Sequence, residues 1–151
     1  MKIIQLRNIL ILVICLYQCN NNSSKEMNII NNKIIIENLL GDISKGIDYE
    51  YFIKKYFVNH ELILSNKDLN KLYTNKLEKL DLSLKESTYE IIPYNKFSKE
   101  GIQLNQELDN NENITLLWFD KLQELHYIKF KGDSIYSMIP ITQGNKIIGW
   151  F

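Results

Sequence analysis

Beyond residue 19 the 151-residue chain contains no cysteine, and it holds one arginine, Arg7, and two prolines in all. With Cys15 and Cys19 both at the end of an N-terminal apolar run, everything after them is without disulfides. Cysteine-ligated zinc, CxxC redox chemistry and a cysteine nucleophile are excluded there as well. The near absence of arginine removes the side chain best suited to bidentate phosphate or carboxylate recognition, so any anion must be held by lysine or backbone N–H groups. An excess of one charge is lacking too: eighteen Lys and Arg face eighteen Asp and Glu. That balance argues against nucleic acid as a partner, because neutralising phosphates needs basic residues concentrated on one face. The abundance of Ile, Lys and Asn at the expense of Arg and Ala has the look of an AT-rich genome's codon usage. No long hydrophobic run is present either. Ile9 to Leu16, ILILVICL, has eight residues, against the roughly twenty a helix needs to cross about 30 Å of hydrocarbon.

That short run follows Lys2 and Arg7, the arrangement of a signal-peptide n-region and h-region. The next residues, Leu16-Tyr17-Gln18-Cys19, resemble the lipobox of bacterial lipoproteins. The resemblance implies that residues 1–18 are a signal peptide, that Cys19 becomes the acylated N-terminus, and that the membrane is a partner through that lipid. Several acyl chains, palmitate among them, would make the anchor stable. Asn20, a residue other than Asp after the cysteine, fits outer-membrane sorting facing the periplasm. Loss of Lys2 and Arg7 with the signal leaves sixteen basic against eighteen acidic residues, a charge near −2. Residues 19–28 begin with a polar stretch, Asn20 to Glu26, and are expected to form a flexible tether.

Residues 29–151 are expected to form a single α+β domain. Hydrophobic residues make up 45% of the chain, with nine Tyr, six Phe and two Trp, which suffices for a core. Ile36, Leu39, Leu40 and Ile43 at i, i+3, i+4 and i+7 predict a helix over Lys33 to Ser44. Asp48 is placed to cap a second, in which Tyr49, Phe52, Ile53, Tyr56 and Phe57 share a face. A third is expected from about Asn66 to Leu80, with Leu69, Leu72, Tyr73, Leu77 and Leu80 inward and Lys71, Lys76 and Lys79 outward. After Leu80 the period becomes two, the signature of strands. Strands are expected at Thr88 to Ile92, Ile114 to Phe119 and Leu125 to Lys131. A two-residue turn at Gly132-Asp133 then leads into Ser134 to Ile141, and a turn at Gln143 to Asn145 into Lys146 to Phe151. The last three form a meander, with Pro140 near a strand end or bulge and the final strand docked through Trp150 and Phe151. Asn105 to Asn113 is read as an acidic, Asn-rich loop.

Few chemistry-bearing constellations stand out. His60 and His126 are the only histidines. Functionally, His126 with Asp120 or Glu124 would serve as a general base, or both histidines with Glu61 as metal ligands. Blandly, His60 is a surface residue after a helix and His126 a half-buried strand residue. No HxxxH or HxxE spacing pre-organises a metal site, so neither metal nor cofactor is expected. Asp109, Glu112, Asp120, Glu124 and Asp133 are potential acid–base groups, but mostly at turns that favour Asp for local hydrogen bonding. Ser87, Ser98, Ser134 and Ser137 lack a GxSxG or SxxK context. The most suggestive group is Trp118, His126, Tyr127, Tyr136 and Trp150, read as a candidate binding face, with a packed core as the alternative for its aromatics.

Helices followed by a curved antiparallel sheet ending in a three- to four-stranded C-terminal meander resemble the NTF2-like or cystatin-like α+β layout. Asp48 to Leu64, DYEYFIKKYFVNHELIL, further resembles the helix-then-strand opening of uncharacterised NTF2-like lipoproteins of Bacteroidetes. That fold hosts enzymes, binding modules and immunity proteins, so it does not fix a function. The expectation is a cell-envelope lipoprotein acting as a non-enzymatic binding module for a protein partner or small ligand, toxin neutralisation being one concrete form. The alternative is a small hydrolase or isomerase using a concave pocket with His126 and a carboxylate.

Overall fold

Helix caps and apolar stripes fix the first half of the domain. The computed structural model describes residues 27–46, 48–98, 113–143 and 146–151; the expected signal (residues 1–18), Cys19, the tether up to Glu26 and the loop before Asn113 lie outside the described residues. Two units are distinguished, Met1–Asn31 and Asn32–Phe151, and the second holds the fold. Helix α1 covers 27–44, so Met27 and Asn28, expected in the tether, are helical. Ile36, Leu39, Leu40 and Ile43 are its buried stripe, as the spacing requires. It stops at Gly46, whose φ of 69° is the left-handed conformation glycine adopts without a Cβ penalty. Asp48 caps α2 (Tyr49–Tyr56) by accepting from the Tyr51 N–H, and Asn66 caps α4 (Lys67–Glu86) by accepting from the Asp68 and Leu69 N–H groups.

Two helical expectations need correction. Where the resemblance implies a strand after α2, residues His60–Ser65 form a short helix, α3. Only Ile63 of this segment is buried in the core, while Leu62 is 58% exposed. The helix is fixed by its backbone bonds, from the Ile63 N–H to the Asn59 carbonyl at 3.1 Å and from the Asn66 N–H to the Leu62 carbonyl at 3.2 Å, and Asn66 immediately starts the next helix. Helix α4 runs six residues past Leu80, because the buried stripe Tyr73, Leu77, Leu80 continues through a polar residue, Ser83. Leu72, read as inward, is 43% exposed.

The second half is an antiparallel four-stranded sheet in the order β1-β2-β3-β4, followed by a separate β5-β6 hairpin. The strands are β1 (Tyr89–Pro93), β2 (Ile114–Phe119), β3 (Glu124–Lys131), β4 (Ser134–Ser137), β5 (Pro140–Gln143) and β6 (Lys146–Trp150). Gly132, at φ 59°, supplies the left-handed residue of the two-residue β3–β4 turn. The strand expected over Ser134 to Ile141 is therefore two strands in two sheets. Ser137 explains the break: its hydroxyl accepts from the Ile139 N–H at 3.0 Å, diverting a backbone donor from the ladder. Pro140, with no N–H, opens the new strand.

All six residues of β2 are buried, so the sheet is covered on both sides. Towards the helices, Leu117, Phe119, Ile128, Phe130 and Ile135 join Phe52, Tyr73, Leu77 and the α1 stripe in the main core. On the far side, Ile114 and Leu116 are buried with Tyr94, and Phe97, Leu125, Tyr127 and Trp150 pack around them. Among the described residues the layout is thus α+β, four α-helices and then a strand meander. The sheet face towards the helices is filled by their side chains.

Candidate functional site

The strand alternation of β3 sends His126 to the helix side, between Glu124 and Ile128. It lies opposite Leu117 of β2 with the Phe119 ring at 5.5 Å, edge-on. Above it lies α4, where a 3–4 residue repeat continues the Tyr73 stripe through Lys76, Leu80 and Ser83. Ser83 donates to Glu124 Oε2 at 2.8 Å, and Lys79 forms an ion pair with the same carboxylate. Glu124 Oε2 lies 3.4 Å from His126 Nε2. The result is a polar cluster of Lys76, Lys79, Ser83, Glu124 and His126 between a helix and a strand.

His126 is 0% exposed, and neither ring nitrogen has a hydrogen-bond partner. Burial, followed by repulsion from Lys76, pushes its pKa down to about 4, against the pull of Glu124. Burial and the neighbouring Lys79 lower Lys76 to about 8. Burial alone would raise Glu124, but hydrogen bonds from Lys79 and Ser83 outweigh it and hold the carboxyl at about 2. At neutral pH the cluster is therefore two ammoniums, one carboxylate and a neutral imidazole; the imidazole is closed off from solvent, while the Lys79 side chain is 63% exposed and that of Glu124 19%. A general base must reach a substrate proton, and this imidazole reaches none in the closed domain.

The expected binding face is not one surface. His126 lies on the helix side, whereas Trp118, Tyr127, Tyr136 and Trp150 lie on the other. Trp118 is core: it is 1% exposed, packs against Phe97 and donates from Nε1 to Asp120 Oδ1 at 3.3 Å. Tyr127, Tyr136 and Trp150 are half-buried, and Lys129 Nζ lies 5.7 Å from the Tyr136 ring centroid and 5.4 Å from that of Trp150. Lys129 thus makes cation–π contacts with two rings of this aromatic group.

The histidines are not brought together. His60 follows α2, as expected, but opens α3 and is half-buried, and its Nδ1 pairs with the Phe57 carbonyl at 3.0 Å. Among the described residues no group of three His, Cys, Asp or Glu could hold a metal. Of the carboxylates weighed for acid–base chemistry, Glu124 is near His126, while Asp120 and Asp133 lie at turns and Asp109 and Glu112 lie outside the described residues. Reading Lys76 as outward-facing missed the site; Lys79 is exposed, as expected, yet reaches Glu124. The signal was present in the i+3 and i+4 spacing from Tyr73, but it ended in Ser83 instead of an apolar residue.

Replacing Lys76 by Met should stabilise the domain at pH 7 by roughly 1 kcal/mol, a partly screened share of the cost of holding a charge beside Lys79 under partial burial. It should also raise the pKa of His126. Thermal unfolding and an imidazole NMR titration check both, and a loss of stability would show that the ammonium is well paired.

No family model matches the chain, and no curated protein or solved structure is detectably similar to it.

Proposed function

We propose that this protein is a lipid-anchored cell-envelope protein whose domain binds a protein partner or small ligand without catalysing a reaction. The observation that carries the anchoring is the Leu16-Tyr17-Gln18-Cys19 motif directly after an eight-residue apolar run with basic residues ahead of it. A binding role, in preference to hydrolase or isomerase chemistry, is supported by the filling of the helix-facing sheet surface and the burial of His126. Tyr127, Tyr136 and Trp150, gathered with Lys129 on the opposite side, are the aromatic surface offered to a partner. The NTF2-like kinship belongs to the same proposal and rests on the α+β layout alone. The outer membrane, facing the periplasm, is the proposed location.

Metabolic labelling with palmitate tests the anchor. The full chain should become labelled and sediment with membranes, and Cys19→Ser should abolish the label and release the protein. An unlabelled wild-type chain overturns the reading. A photoreactive residue placed at Tyr136 tests the binding role in intact envelopes: adducts there, and none from the exposed helical position Lys71, are expected. No adduct from position 136 removes the binding face from the proposal.

A further inference from the structure

A histidine sealed beneath a helix that carries two lysines is an arrangement with a direction built in. Helix α4 presents Lys76 and Lys79 to His126, and β3 itself presents Glu124. From β2 come Leu117 and Phe119, which carry no charge. Glu124, the one carboxylate in reach, already accepts from Ser83 and pairs with Lys79. A proton added to the imidazole would raise the cluster from one net positive charge to two, at a fully buried ring whose nitrogens make no hydrogen bond and whose facing carboxylate oxygen, Glu124 Oε2 at 3.4 Å, already accepts from Ser83.

We infer that His126 is an acid-operated latch: neutral, it lets α4 lie on the sheet; protonated, it drives α4 off β3 and uncovers the apolar surface between them. The surface released is that of Leu77 and Leu80 on the helix and Leu117 and Phe119 on the sheet. Acid would thereby convert a covered face into an exposed apolar one.

The sign follows from the direction of the shift. The ordinary histidine value is 6.5 and the folded one about 4, so the closed state is favoured fully above pH 6.5 and loses that advantage as pH falls towards 4. Each pH unit in between multiplies the opening constant by up to about tenfold, roughly 70-fold from pH 7.5 to 4.5. Glu124 and Asp42, whose ordinary values are 4.5 and 3.8, both drop to about 2 in the fold. Their contributions are lost below this window, so the two regimes separate.

Hydrogen exchange of the full chain in detergent at pH 7.5 and pH 5, corrected for intrinsic rates, tests the latch. Amides of α4 should lose protection at pH 5 by about tenfold or more while those of β2 keep theirs, and His126→Phe should retain α4 protection at both values. Equal α4 protection at the two pH values overturns the inference, as does simultaneous loss in α4 and β2, which is plain unfolding, or loss in the Phe variant. Should His126→Phe fail to fold, imidazole titration of the wild-type chain decides: a His126 pKa well below 6.5 supports the latch, and a value at or above it removes the driving force.

Discussion

Removing Trp150 and Phe151 is expected to lower stability by about 3 kcal/mol, from partial burial of an indole and loss of a hydrogen bond to a buried hydroxyl. For a domain of this size that is a drop in melting temperature of roughly 10 °C. Trp150 pairs with Pro140 across the β5–β6 hairpin and packs on the far-side cluster with Tyr94, Ile114 and Leu116. Phe151 acts differently. Its ring is 46% exposed, but its N–H donates to the Ile139 carbonyl at 3.1 Å and its carbonyl accepts from the Tyr73 hydroxyl at 2.7 Å. Tyr73 is fully buried on α4, so the truncation removes the shortest hydrogen bond of its hydroxyl and leaves the longer one to Ser137, at 3.2 Å. Tyr73→Phe isolates that share and should cost about 1 kcal/mol by itself. Thermal unfolding of the three chains gives the comparison. An unchanged melting temperature in the truncated chain would mean that the end of β6 contributes nothing to the domain.

The same region shows what a sequence can and cannot disclose. The alternation His126, Ile128, Phe130 against Tyr127, Lys129, Lys131 was legible because period two assigns faces without knowledge of the partner strand. The Asp48 cap was equally legible, since its capping bond is local. The break at Met138–Ile139 was not, because it depends on whether Ser137 turns its hydroxyl onto its own backbone, a choice settled by Tyr73 from 64 residues away. The site failed for a related reason. Lys76 and Lys79 are ordinary helix-surface residues until β3 is laid beneath them. What then makes them a site is a histidine and a glutamate with no sequence signature linking them to that helix. The aromatic group was over-read in the other direction: strand spacing gave the correct face for each residue, but His126 was placed with rings that point the opposite way.

Phe119→Ala should be the most damaging single substitution discussed, and it bears on the latch as well as the core. Its ring is fully buried, touches the His126 ring edge-on at 5.5 Å and lies 6.2 Å from that of Tyr89. Truncating a buried Phe costs about 3–5 kcal/mol in transfer and cavity energy, a large fraction of the roughly 5–15 kcal/mol that holds a domain of this size. In urea the midpoint should fall with the slope unchanged. The void also opens beside an imidazole whose pKa is held down chiefly by burial. If water enters it, the His126 value should climb from about 4 back towards 6.5, and α4 should lose protection at a correspondingly higher pH. Phe119→Leu keeps most of the volume and should cost about 1 kcal/mol, leaving the histidine where it was. A destabilised Ala variant with an unmoved His126 titration would mean that the cavity stays dry, as apolar cavities can. The burial of the histidine would then be owed to α4 and not to the aromatic neighbour.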